Sequence, residues 1–486
     1  MARPSPLDVY GHLDKSNCGD CGYETCMAFA TDLLERKVRL QDCTHLMEDP
    51  KQKKEFKKLK EMLTPPQKPV RIGKGENEIT IGGEEILMRH QLTYYNQTAI
   101  FVQIADNQEN LVERVKYLDD LTIERIGEVL TIQGIALRCV SKDVETFKEA
   151  AKKVAEVSDL PIMLCCLEPK FLIEAAEAIK DEKPALYTAT KDTWEELGTF
   201  AVKNELPIVV SSPNGDLDEL MSLSATLQKL GSNQIILDPG TFFGPGGVSK
   251  TYNNLSQLRI SGIKNENENS GWPIMGVPAA YWTQVDEVNE DEIWRDKFQE
   301  VITASIMISE AASLVVLNTG QEDEDIWALL ALMTLRQAIY SDPRVYPAVD
   351  SGIYEIGDPG PDSPIFVTSN YRLTKIPVEI DIKGANLDAW LLVVDTEGIG
   401  IESAVAGGQL SAGAVAEEVK EAEMFEKVNH RILIIPGMAA RLSGALEDEA
   451  DCYVVVGPRD SSGIGNFMEK KWTPDKFMEE YEQRGS

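Results

Sequence analysis

The chain has 486 residues, with 48 Lys+Arg against 80 Asp+Glu and a formal net charge of −32. At about 100–200 residues per domain this length predicts about two to four domains, and 43% hydrophobic residues exclude wholesale disorder. A surface this acidic repels phosphates, so neither nucleic acid nor an anionic membrane is an expected partner. The opening MARPSPLDVY lacks a basic segment followed by an apolar stretch, and no apolar run approaches the ~18–20 residues of a membrane span. A cytoplasmic location is expected. The charge is uneven: residues 1–64 carry 11 acidic and 11 basic side chains, so the whole excess lies beyond them.

Four of the eight cysteines crowd this neutral segment: Cys18, Cys21, Cys26 and Cys43, spaced C-x2-C-x4-C-x16-C. Without a secretory signal a disulfide framework is not expected. Structural zinc often uses two closely spaced pairs, whereas here only the first pair is close. Three near cysteines plus one distant ligand is a common way to hold an iron–sulfur cluster. Gly19 and Gly22 let the backbone wrap tightly and aim N–H groups at sulfur. The spacing favours a cluster, with zinc and unrelated thiols as the alternatives. Residues 27–40 read as an amphipathic helix between the third and fourth cysteines. His12 and His45 read as surface residues. Cys139, Cys165, Cys166 and Cys452 sit in apolar runs and read as small core residues of strands.

KQKKEFKKLK (51–60) lacks the aromatic interleaving that stacks on bases, and reads as a solvated helix face. TPPQKP (64–69) then reads as a linker, the first domain boundary and a hinge. Apolar runs at 98–105, 134–139, 161–166, 185–189, 207–212, 234–238, 273–278 and 313–318 alternate with helical patterns. Eight β–α repeats predict a closed (β/α)8 barrel, with an open sheet as the alternative. Upstream of the first repeat, EITIGGEEILMRHQLTYY (78–95) predicts an antiparallel hairpin plugging the barrel base. The glycine-rich DPGTFFGPGG after the sixth strand has no lysine or histidine partner, so the barrel reads as a scaffold.

Beyond residue 360, strand patterns at 391–395, 431–436 and 453–457 alternate with helices and predict a Rossmann-like parallel sheet. Ligands of such a sheet sit outside the carboxyl ends of its strands. Those ends read DTEGIGIES, PGMAARLSG and GPRDSSGIG, rich in Gly, Ser or Thr. Gly398-x-Gly400-x-x-Ser403 is only a partial dinucleotide fingerprint, since serine replaces the third glycine. A large cofactor held by backbone and hydroxyl groups is the alternative. The D-x-H-x-x-G motif of many corrinoid-binding domains is absent, and His430 precedes a strand instead of following one.

Taken in order, SPLDVYGHLDKSNCGDCGYETCMAFA, IGGEEILMRHQLTYYNQTAI, SPIFVTSNYRLT, VDTEGIGIESAVAGGQL and IIPGMAARLSGALE resemble the large (gamma) subunit of the corrinoid iron–sulfur protein. That family serves the acetyl-CoA decarbonylase/synthase (CO dehydrogenase/acetyl-CoA synthase) system. The resemblance covers nearly the whole chain. It implies an α/β architecture of three domains: a 4Fe-4S cluster domain (1–64), a TIM barrel (65–355) and a Rossmann-like corrinoid-binding domain (356–486). Cys18, Cys21, Cys26 and Cys43 would ligate the cluster. Thr368, Thr374, Thr396, Glu397, Gly398, Ile399, Gly400, Ile401, Ser403, Gly437 and Arg441 would line the corrinoid. Gly400 stands where the family's loop carries serine, Val405 where it carries an aromatic, and Glu402 where it is apolar.

The resemblance further implies a methyltransferase component. Its base-off cobamide cobalt takes a methyl group from a methyl-tetrahydropterin and passes it to the nickel site of acetyl-CoA synthase. The cluster reactivates Co(II) to Co(I). Implied partners are a small (delta) subunit in a heterodimer, acetyl-CoA synthase, and the methyltransferase or methyl-tetrahydropterin donor. The domains would move on hinges at 64–69 and 357–364. The alternatives are an iron–sulfur oxidoreductase with a dinucleotide at the 395–403 loop and a non-catalytic scaffold with a zinc knuckle.

Overall fold

The computed structural model describes residues 4–48, 52–88, 94–285, 293–320, 323–341 and 346–484. In chain order the strands are β1 (Pro69–Ile72), β2 (Ile79–Gly82), β3 (Ala99–Ala105), β4 (Ile123–Arg125), β5 (Glu128–Leu130) and β6 (Gly134–Arg138). Next come β7 (Ile162–Cys165), β8 (Ala185–Ala189), β9 (Ile208–Ser211), β10 (Ile235–Asp238), β11 (Met275–Gly276) and β12 (Leu314–Leu317). The last five are β13 (Gly352–Ile356), β14 (Ile365–Ser369), β15 (Ala389–Val394), β16 (Ile432–Ile435) and β17 (Tyr453–Val456). They build two compact units, one of residues 1–121 and 132–341, the other of 122–131 and 342–486. No helix among the described residues is long and apolar enough to cross a membrane.

In the first unit eight parallel strands run in the order β10-β9-β8-β7-β6-β3-β12-β11. A parallel bridge from Leu237 to Ile274, with Leu237 N donating to Pro273 O at 2.8 Å, brings the two ends together. The sheet is therefore a barrel, built from the eight runs that the sequence predicted. Strands covered on both faces read as continuous apolar runs, and β9, β10 and β12 are buried at every position. Local signals set the intervening helices. Asp143 caps Val144–Val157 through Thr146 N, and Asp216 caps Leu217–Leu230 through Glu219 N, a helix that Gly231 ends at φ 111°.

The expected hairpin forms with a different partner. β2 pairs antiparallel with the upstream β1, Pro69 facing Gly82. Gly82 and Gly83, at φ 71° and 74°, end the strand. Glu84 then turns inward, where its carboxylate accepts the N–H groups of Tyr95 and Asn96. Residues 89–93, including His90, lie outside the described residues. The hairpin does cover the barrel base: Arg71 N donates to Gln234, Gly73 N to Lys183 O, and Lys68 N to Gly271 O, all just before barrel strands.

Both expected hinges are held in place. In the stretch 64–69, Gln67 is 2% exposed and its side chain donates to Trp272 O, while the Lys68 ammonium lies 4.2 Å from the centre of the Trp272 ring. The stretch 357–364 joins β13 to β14 within one sheet. Gly360 O accepts from Trp390 Nε1, Pro361 O from Asn429 N, and Ser363 O lies 3.0 Å from His430 Nε2. Proline and glycine there shape a turn whose polar groups are satisfied locally.

The second unit carries a five-stranded sheet ordered β13-β15-β14-β16-β17, parallel except for β13. Two of its strands, β13 and β14, add to the three that were predicted. Ile365, Val367, Leu392 and Leu433 enter one hydrophobic cluster, and Phe366, Leu391, Val393 and Ile434 enter another on the opposite face. Helices cover both sides, as the fold class requires. The hairpin β4–β5 belongs to this unit. Its turn at Ile126 and Gly127 lies on Arg372, whose Nη1 stands 3.5 Å from Ile126 O and from Glu128.

Barrel packing is tight at Gly134, where a Cβ would stand 2.6 Å from Pro161 O and against the Phe101 ring. Gly134→Ala is expected to cost about 1–3 kcal/mol, as overpacked cores do. The check is a lower urea midpoint with an unchanged slope.

Candidate cysteine centre and ligand cradle

The cysteine segment folds around Val9, Leu13, Phe29, Leu33, Leu46 and Leu59, and Cys21, Cys26 and Cys43 pack against that cluster. The predicted helix is shorter than expected, Cys26–Leu34, and Arg36 at φ 59° follows its end. Thr25 caps it by accepting from Ala28 N, and Asn17 accepts from Cys26 N at 2.8 Å. Cys26 is thus the first helical residue. Gly22 N donates to Gly19 O, and both glycines take positive φ, 84° and 81°, bending the backbone between Cys18 and Cys26.

Burial pushes the Cys43 thiol up, and the neighbouring Cys21, Asp14 and Cys26 push it the same way. Cys21, Cys26 and Cys43 therefore share one electrostatic neighbourhood. Cys18 is exposed on the loop, where its sulfur, an Asp20 oxygen and a His45 nitrogen lie within 4.8 Å of one another. His45 Nδ1 also reaches Asp14 at 2.7 Å, which raises the imidazole's pKa. The expectation that His45 is merely a surface residue missed this contact, which no local sequence signal marks. Several soft thiol donors on one glycine-bent loop suit a thiolate-bound metal group. The remaining cysteines differ: burial pushes Cys139, Cys165 and Cys452 each up to about 12, so they stay protonated and inert near neutral pH.

In the second unit, the carboxyl ends of β14, β15, β16 and β17 gather the predicted cradle. Asn370, which sequence reading passed over, organises it. Its Oδ1 accepts from Thr396 N and Gly398 N, each at 3.0 Å, while Nδ2 donates to Asp395. The Thr396 hydroxyl is fully buried between Asn370 and Ile399 O, so it holds the loop itself. Glu397 and Gly398 take consecutive positive φ, 58° and 71°, and a Cβ on Gly398 would stand 3.0 Å from Tyr346 O. Gly400 precedes the short helix Ile401–Gly407, on which Ser403 is exposed.

A cavity of about 240 Å³ opens beside this loop, lined by Leu373, Thr374, Pro377, Ile401, Met438 and Arg459 among others. Thr374 and Ile401 were predicted there. Gly437 approaches the Pro458–Arg459 backbone so closely that a Cβ would stand 3.0 Å from it. Arg441 bonds the carbonyl of Val405, and Ile399 packs against the neighbouring core. Thr368 and Ser369, at the end of β14, are fully buried with hydroxyls that have no hydrogen-bond partner. Unpaired buried hydroxyls are costly and suit a site completed by a ligand. The unit's single histidine, His430, sits at the opposite, amino end of β16, with Nδ1 accepting from Ile432 N. The loop after β10 offers less: Asp238, 2% exposed, accepts from Tyr187 and from Gly240 N.

A family model described as "CO dehydrogenase/acetyl-CoA synthase delta subunit" matches residues 69–468, and one described as "Putative Fe-S cluster" matches 13–45. The acetyl-CoA decarbonylase/synthase complex subunit gamma of Methanosarcina acetivorans is 40% identical over 480 residues, covering 98% of this chain and 100% of that protein. Its counterpart from Methanothermobacter thermautotrophicus is 41% identical over 466 residues, covering 96% and 98%. Among solved structures, a 7,8-dihydropteroate synthase from Vibrio fischeri is similar at a TM-score of 0.38 and 10% identity, over 55% of this chain and 96% of that one. That distant likeness carries no argument about chemistry. The full-length relatives, unlike the longer family match, include the cysteine segment. The chain belongs to the family of acetyl-CoA decarbonylase/synthase complex gamma subunits.

Proposed function

We propose that the protein is the corrinoid iron–sulfur methyl carrier of its complex, working in the cytoplasm. The observation that carries the reading is the joint presence of the two centres. One is a four-cysteine segment, and the other is a strand-end cradle with unpaired hydroxyls and, among the described residues, no histidine beside it. Cys18, Cys21, Cys26 and Cys43 would hold a 4Fe-4S cluster. Thr368, Thr374 and Ile401 would meet a corrinoid, with Glu397, Gly398, Ile399, Gly400, Ser403, Gly437 and Arg441 around it. Thr396 acts through the loop that it fixes. Functionally the chain divides into a cluster module (1–64), a barrel and a corrinoid module, the last extended from 356–486 to 342–486 with the 122–131 hairpin.

The cavity is smaller than the ~300–1,000 Å³ of ordinary ligand pockets, so a macrocycle would lie across its mouth. Leu373 and Met438, exposed at that mouth, supply an apolar bed. Pro377 has no N–H to give the Leu373 carbonyl, which is left for another donor. A bound corrinoid would supply a cobalt that accepts a methyl group from a methyl-tetrahydropterin and yields it to the nickel site of acetyl-CoA synthase, while the cluster supplies one electron for reactivation. The protein's own part is to seat the macrocycle, to offer no imidazole from below, and to keep both faces within reach of partners.

A partner subunit is supported by the helix Ile293–Ser309. Trp294, Phe298 and Ile302 recur there every fourth residue and are 58%, 50% and 38% exposed. Trp327 and Leu330 of the next helix, Ile326–Tyr340, are exposed as well. So much uncovered apolar surface marks an interaction site. Two copies at −32 each would repel, so a small subunit of different sequence is the occupant that we assign.

Anaerobic metal analysis should find about four irons and one cobalt per chain. Cys18→Ser and Cys26→Ala are each expected to lose most of the iron and to keep the cobalt; unchanged iron would remove these ligands. Cobalt-free protein carrying nicotinamide or flavin would instead make it a dinucleotide oxidoreductase. Asn370→Ala should weaken cobamide retention about tenfold, the equivalent of losing a buried hydrogen-bond hub, as measured by cobamide titration of stripped protein. Phe298→Glu should abolish co-purification with the small subunit while iron and cobalt remain; normal co-purification would place the interface elsewhere.

A further inference from the structure

The helix Lys53–Met62 sits on the same hydrophobic cluster as the cysteines: Leu59 is fully buried in it, and Phe56, Met62, Cys21, Cys26 and Cys43 pack against it. Its outer surface is lysine. Lys53, Lys54, Lys57, Lys58 and Lys60 are all exposed. The two carboxylates of the helix do not balance them. Glu55 is engaged by His12 at 2.6 Å and Lys58 at 2.8 Å, and Glu61 approaches Lys57 only to 3.9 Å. Lys53, Lys54 and Lys60 have no ion pair among the described residues.

Folding does not explain this arrangement. Lysines at i,i+3 and i,i+4, as in Lys53/Lys57, Lys54/Lys57 and Lys54/Lys58, repel one another and work against the helix. Exposed ion pairs add little stability in return. Elsewhere the chain is strongly acidic, with its whole charge of −32 lying beyond residue 64, so a concentrated basic face is an exception to its own composition. Its helix shares one small core with Cys21, Cys26 and Cys43.

We propose that this lysine face is the docking surface for an acidic one-electron carrier protein that reduces the cluster. The inference rests on the cluster reading above and names that centre's partner. The exchange is a single electron: the carrier is oxidised by one, the cluster is reduced by one, and no bond is made or broken. Complementary charge steers the carrier onto the helix, and the acidic remainder of the chain repels it from other landing sites. Tunnelling weakens steeply with distance, so landing on the helix that shares a core with Cys21, Cys26 and Cys43 makes an encounter productive.

The test uses the complete, metal-loaded chain and its variant Lys53→Glu/Lys54→Glu/Lys57→Glu, whose changed side chains lie outside the helix's buried face. Cluster bleaching is followed anaerobically by stopped flow, with a reduced ferredoxin of net negative charge and, separately, with reduced methyl viologen. The variant should react with the ferredoxin at least about tenfold more slowly at low salt, and salt should slow only the parent chain. Methyl viologen should reduce both proteins comparably. Equal ferredoxin rates with an intact, reducible cluster would overturn the docking site alone. Parent protein without iron, or with iron that neither reductant bleaches, would overturn the cluster reading and this one with it. Lys→Gln at the same positions should fall between the two; a loss as large as with Glu would point to helix damage and count against steering.

Discussion

A parallel strand cannot be followed directly by its neighbour: the chain must first cross back, usually through a helix, so all the carboxyl ends open on one side. Both units live under this constraint. In the second, it gathers the ends of β14, β15, β16 and β17 into one rim, and the helices that return the chain wall that rim in. Thr374, Ile401, Met438 and Arg459 are distant in sequence yet line one cavity for this reason. Asn370 then converts proximity into shape, because one side-chain oxygen bound to two backbone N–H groups fixes the loop and its own amide orientation together.

The cysteine segment solves its geometry without a sheet. A small apolar core holds three thiols from below, and two glycines with positive φ bend the chain that carries the fourth. Burial alone makes a thiol inert, as at Cys452. What distinguishes Cys21, Cys26 and Cys43 is convergence on one neighbourhood, together with a helix N-terminus at Cys26 and the carboxylates of Asp14 and Asp20 around His45. These acids add negative charge beside the thiols.

Legibility in the sequence followed the range of each interaction. The eight barrel strands could be read because burial on both faces writes an uninterrupted apolar run. The cysteine spacing and the glycine-rich strand ends could be read because their ligands or turns are local. Strand β13 could not, since it is a half-exposed edge of mixed composition. The partner of β2 was misassigned because Glu84 looks like a strand residue until its carboxylate meets Tyr95 and Asn96. The proline-rich stretches at 64–69 and 357–364 looked like hinges because composition reports a turn. It does not report whether Trp272, Trp390 or Asn429 will supply that turn's hydrogen bonds.

The hairpin β4–β5 changes what counts as a domain here. Ten residues, 122–131, leave the first unit's chain, pack on Arg372 within the second unit, and return. The second unit is therefore not one continuous stretch of gene. A fragment beginning at residue 342 would lack the piece that covers Arg372 and Gly127's neighbour Ile376, and a cut at 341 would still leave two strands of chain uncut between the units. A segment appended at the C-terminus would not supply this module whole, because its hairpin is encoded more than two hundred residues upstream.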